Sequence, residues 1–145
     1  MRHQHACFAL WFLAANAGFA QSQAPLEESS GAAAKLGYRT VAAALAGLRA
    51  RPGVVVTTTK PDGWIIATEG STKAVWSFAP DGHYAYPAVV RREVKQRDGG
   101  EVYIEMVALC EAAKEPCDRL VREFQELNEQ MRANIQRGTT GQQRR

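Results

Sequence analysis

Downstream of residue 20, the chain holds two thiols, Cys110 and Cys117, and one imidazole, His83. The segment Cys110-Glu-Ala-Ala-Lys-Glu-Pro-Cys117 is short enough to close as a disulfide loop. Chain-entropy arithmetic gives a loop of that length about 2.5 kcal/mol of stabilisation. Catalytic dithiols sit as C-x-x-C, and this spacing is wider, so it points to a structural bond. A thiol-redox protein using Cys110 and Cys117 is the competing reading. A metal site does not follow, because two thiols without histidine neighbours leave a tetrahedron incomplete.

The histidine lies in the most unusual stretch of the sequence, Trp76-Ser-Phe-Ala-Pro-Asp-Gly-His-Tyr-Ala-Tyr-Pro87. Trp76, Phe78, Tyr84 and Tyr86 crowd around it, Pro80 and Pro87 stiffen it, and Asp81-Gly82 turns it. Rigid aromatics on a constrained loop make good contact surfaces, since they bury area at little entropy cost. Phe78, Asp81, His83, Tyr84 and Tyr86 are therefore the candidate binding residues. The alternative is structural: the rings cover one end of a sheet and His83 makes a local hydrogen bond. A small envelope enzyme using His83 as acid or base is the catalytic alternative. Ser77, His83 and Asp81 spell a triad, yet closeness in sequence is no evidence for one. Asp62 and Asp81 sit in ordinary turn motifs. The chain has no G-x-S-x-G elbow, phosphate loop or H-E-x-x-H. No catalytic residue and no cofactor is assigned.

The elements that must position this loop follow from periodicity. Thr40 is an N-cap ahead of a helix over residues 41–48, whose Val41, Ala44, Leu45 and Leu48 repeat at helical spacing. Five strand-like runs follow, over residues 54–60, 64–69, 73–78, 89–97 and 101–110, separated by short turns such as Pro61-Asp62-Gly63 and Asp98-Gly99-Gly100. Short turns favour an antiparallel meander. A closing helix over residues 117–137 carries the stripe Leu120, Phe124, Leu127 and Met131, with Gly138 as its stop. The expected fold is α+β: an N-terminal helix, a five-stranded antiparallel meander and a long C-terminal helix, with both helices packed on one sheet face.

Residues 1–20 have the parts of a secretory signal peptide: Arg2, an apolar run over residues 6–19, and the small residues Gly18 and Ala20 ahead of Gln21. Cleavage is expected after Ala20, or alternatively after Ala17. The run is too short for a membrane anchor. The mature chain is then a flexible lead-in over residues 21–37, a single domain over 38–137 and a polar tail over 138–145. Removing Arg2 lowers the formal net charge from +3 to +2. That near-neutral balance argues against a nucleic-acid partner, which calls for a clustered basic face.

The strand-loop-strand run Trp76-Ser77-Phe78 … Gly82-His83-Tyr84-Ala85-Tyr86-Pro87-Ala88-Val89-Val90, followed by Leu109-Cys110 and Cys117-Asp118, resembles a group of small exported proteobacterial proteins without assigned activity. The likeness spans residues 38 to about 131. It implies a periplasmic address and contributes no catalytic residues. The expectation is an exported, non-enzymatic binding module, periplasmic or secreted, that meets a protein or cell-envelope component through loop 78–87.

Overall fold

The computed structural model describes residues 24–142, with side chains over residues 30–138. The expected signal peptide and its cleavage site lie outside the described residues. The elements run α1 (Ala24–Leu36), α2 (Val41–Ala50), β1 (Val54–Thr58), β2 (Ile65–Glu69), β3 (Val75–Phe78), β4 (Ala88–Gln96), β5 (Val102–Cys110) and α3 (Lys114–Gln142). The strands form one antiparallel sheet in the order β1-β2-β3-β4-β5, the meander that the short turns predict. The fold is α+β, with two helices, five strands and a long helix in sequence.

Side chains alternate across a strand, so the register sorts the sheet residues into two faces. Ala67, Trp76, Phe78, Val89 and Leu109 lie on one face and pack with Leu36 of α1 and with Val41, Ala44 and Leu48 of α2. Ala88, Val90 and Ala108 lie on the other and pack with Leu120 and Phe124 of α3. The expectation that both helices share one face is therefore corrected: α2 and α3 cover opposite faces. The cause is in β4 and β5, where Val89 and Val90, or Ala108 and Leu109, are neighbours and yet apolar on both sides. A strand apolar on both faces must be covered on both.

Two boundaries also differ from the sequence reading. The lead-in over 21–37 is a helix from Ala24 onward, because its Ala-rich stretch has high helix propensity and its end is held by Leu36, which is 7 % exposed. The described part of the tail is helical too, since α3 runs through Gly138 to Gln142. A glycine costs a helix about 1 kcal/mol where a proline costs about 3 kcal/mol, so it need not end one. The helix begins earlier than expected as well, at Lys114, which puts Pro116 in a first turn where a missing N–H is harmless.

Local contacts fix the helix termini. Thr40 Oγ1 accepts the Ala43 N–H at 3.1 Å and caps α2, as its sequence position predicts. The Glu111 carboxylate, just past β5, accepts the Val41 N–H at 2.6 Å and so ties the start of α2 to the end of the sheet. Next to it, Cys110 and Cys117 are bonded, their Cα atoms 5.8 Å apart, joining the end of β5 to the first turn of α3. On the α2 side, Glu69 is 9 % exposed and accepts from Trp76 Nε1 (2.8 Å), Arg51 Nη1 (3.1 Å) and Thr72 Oγ1 (3.0 Å). That network satisfies a carboxylate which burial alone would penalise.

Candidate functional site

The β3–β4 connection, residues 79–87, is built as a short rigid arch. Ala79 N–H bonds to Ala88 O (2.9 Å), His83 N–H to Pro80 O (3.1 Å) and Tyr86 N–H to His83 O (2.9 Å). Gly82 takes φ +81°, a left-handed conformation that the Asp81-Gly82 pair supplies at the turn. Ala85 is fully buried against the α3-side core and pins the middle of the arch. With Ala85 held inward, its neighbours Tyr84 and Tyr86 point outward, 36 % and 49 % exposed.

The five sequence-predicted residues separate into three groups. Tyr84, Tyr86 and Asp81 are exposed on the arch. His83 is half-buried beneath them. Phe78 is 2 % exposed in the core that faces α1 and α2, as is its neighbour in period, Trp76, so neither ring belongs to the surface. The Trp76-x-Phe78 spacing carries that signal, since residues two apart on a strand share a face.

The arch is bound to the first half of α3. Tyr84 Oη donates to Glu123 Oε2 at 2.6 Å, and Arg119 Nε donates to Glu123 Oε1 at 2.9 Å. The Arg119 guanidinium also lies 4.3 Å from the Tyr84 ring centre. Desolvation, then the hydrogen bond to Glu123, pushes the Tyr84 hydroxyl up to about 12. The same bond, together with Arg119, holds the Glu123 carboxyl below its ordinary range. The His83 ring sits 4.2 Å from Tyr84 and 5.0 Å from Trp64, and Trp64 continues to Phe124 at 5.8 Å. Burial lowers the His83 pKa; Glu123 opposes the shift and Arg119 adds to it. His83 Nδ1 accepts the Ala85 N–H at 3.2 Å, which orients the ring. Among the described residues no hydrogen bond joins Ser77, His83 and Asp81.

Between α3 and the sheet, over strands β2 to β4 and the β1–β2 connection, runs a groove of about 360 Å³. Ile66, Phe124 and Leu127 form its apolar walls, with Trp64 at one end and Ser77 and Arg92 on its floor. Sequence reasoning missed Trp64, Arg92, Glu123 and Phe124. They come from the β1–β2 connection, β4 and α3, and only the tertiary fold gathers them. Leu127 was expected in the core stripe of α3, but it is 44 % exposed, because it stands on the wall of this open groove, while its neighbour Asn128 meets Met106 of β5.

Among the described residues no group of three His, Cys, Asp or Glu side chains comes together as a metal cluster, and no helix is long and apolar enough to cross a membrane. No family model, no curated protein and no solved structure matches this chain.

Proposed function

We propose that the protein is an exported, non-enzymatic module that binds a protein or cell-envelope component through Tyr84 and Tyr86 on the β3–β4 arch. The observation that carries this reading is that both rings are exposed while the backbone beneath them is fixed by the buried Ala85 and three turn hydrogen bonds. A contact surface that is already ordered loses little entropy on binding. Tyrosine is also among the residues that concentrate interface energy. The Cys110–Cys117 bond is compatible with export, since such bonds persist in oxidising compartments.

The test compares wild type with Tyr86→Ala as bait in an envelope extract. Tyr86 has no side-chain hydrogen bond among the described residues, so its loss should leave thermal stability near the wild-type value. Capture of a wild-type partner should fall by an amount equivalent to about 2 kcal/mol or more if the ring is an interface anchor. Equal capture by both baits sinks the reading. Intact mass of the exported protein tests the address: the chain should begin at Gln21, or at Gly18 after the alternative cleavage.

A further inference from the structure

We infer that the groove between α3 and the sheet is a binding site for a small monocarboxylic acid with an apolar tail, its carboxylate paired with Arg92. This goes beyond the tyrosine surface, since neither Tyr84 nor Tyr86 lines the groove.

Arg92 is the unusual group. Its side chain is half-buried, it forms no ion pair among the described residues, and its Nε is buried without a hydrogen-bond partner. Its one close charge-compensating contact is the Phe124 ring, 5.0 Å from the guanidinium carbon. Its neighbours in β4 and β5 are treated differently: Arg91 pairs with Glu93 at 2.5 Å, and Lys95 pairs with Glu93 at 2.9 Å and Glu105 at 3.6 Å, all on the opposite face. A desolvated guanidinium without a counter-charge is costly, and a planar carboxylate is the anion that its fork fits best.

Two carboxylates line the same groove, and neither neutralises Arg92. Glu123 is spent on Tyr84 and Arg119, one oxygen each. Asp62 lies in the exposed β1–β2 turn, at the Trp64 end. The register places that end far from Arg92: Arg92 is opposite Val75, Ser77 is one step on and opposite Ile66, and Trp64 is a further step beyond Ile66. Each two-residue step is about 6.6 Å.

The rest of the groove selects an aliphatic or aryl body over a peptide. Its floor is a sheet face, whose N–H and C=O groups are consumed by strand pairing. A peptide laid there would find few partners for its own backbone. An apolar tail needs none and would cover Ile66, Phe124 and Leu127. The volume is at the small end of the range for small-molecule sites, about 300–1,000 Å³.

The experiment is calorimetric titration of the mature protein with octanoate, with 1-octanol as the uncharged analogue and N-acetyl-Leu-Phe as its free acid for the peptide alternative. Octanoate should bind saturably and at least about tenfold more tightly than octanol, the equivalent of one charge-assisted hydrogen-bonded pair. Arg92→Gln should remove that preference. Because Arg92 also packs on Phe124, a second variant, Leu127→Glu, places a negative charge in an exposed part of the wall and should weaken octanoate without lowering thermal stability. Tyr86→Ala should bind octanoate normally, which separates this site from the proposed partner surface. Equal binding of octanoate and octanol, no binding of octanoate, tighter binding of the peptide acid, or unchanged octanoate binding in both groove variants would each overturn the assignment.

Discussion

Tyr84 and Glu123, thirty-nine residues apart, are joined by a 2.6 Å hydrogen bond that clamps the β3–β4 arch onto α3. The bond has a spectroscopic signature. The Tyr84 hydroxyl is pushed up to about 12, so in the folded protein it should ionise after an ordinary tyrosine would. A tyrosine whose folded pKa is raised stabilises the fold at pH values below its unfolded value of about 10, and that contribution is lost as pH climbs from 10 towards 12. Absorbance titration at alkaline pH should show Tyr84 ionising late, and Glu123→Gln should bring it earlier. An unchanged profile in the variant would show that the bond is absent in solution.

The same substitution should move His83 in a defined direction. Burial lowers the His83 pKa, and Glu123 is the group that opposes the fall. The folded state therefore binds this proton less well than the unfolded chain, whose value is near 6.5. Below that pH the unfolded chain gains the proton first, so His83 removes stability as pH falls from 6.5 towards its folded value. The imidazole resonances should titrate below 6.5 in wild type and lower still in Glu123→Gln. A midpoint at or above 6.5 in wild type contradicts the buried, Nδ1-bonded ring.

Gly47 reports on the packing of α2. A Cβ there would lie 2.5 Å from Tyr38 Cε1 and 2.6 Å from its Oη. Alanine would gain about 1 kcal/mol of helix propensity. Against that, Tyr38 would have to leave both the Arg51 guanidinium, bonded to its Oη at 2.8 Å, and the edge contact with Trp76 at 6.0 Å. Overpacking of this kind costs about 1–3 kcal/mol, so Gly47→Ala should be net destabilising by roughly 1 kcal/mol. In a Tyr38→Ala background the same change should be neutral or stabilising. Denaturant unfolding of the four proteins completes the cycle, and additive effects would refute the contact.

Replacing Cys110 and Cys117 by serine should lower stability by about 2.5 kcal/mol, the loop-closure value for so short a ring. Thiol titration of the unreduced, denatured protein should find neither cysteine free. Efficient dithiol exchange with a model disulfide substrate would instead favour the redox reading.

The strand order, the N-cap at Thr40 and the closing helix were legible in the sequence, because turn chemistry and local periodicity act over a few residues. The two-sided covering of the sheet was legible only in the paired apolar neighbours Val89-Val90 and Ala108-Leu109, a pattern that an alternation-based reading of β5 overlooks. Helix α1 escaped because its signal is alanine propensity, with few large apolar side chains to mark a face. At the site, Tyr84 and Tyr86 could be named from composition. Their exposure depends on Ala85 being anchored by a core assembled from β4 and α3. Arg92 carries no signal in the sequence, since within β4 it is one polar residue among several, and only the packing of Phe124 and Leu127 over the sheet makes it part of a groove.

Strand β4 serves both cores, with Val89 buried on one side and Ala88 and Val90 on the other. Its central amides are therefore released to solvent only when both helical layers open together, which is a global event. Strand β1 is an edge and has Val55 63 % exposed, so its outer amides need no such event. Native-state hydrogen exchange should thus be graded across the sheet, slowest at residues 89–90 and fastest along β1. The order of exchange would map, amide by amide, how cooperatively the two layers depend on a single strand.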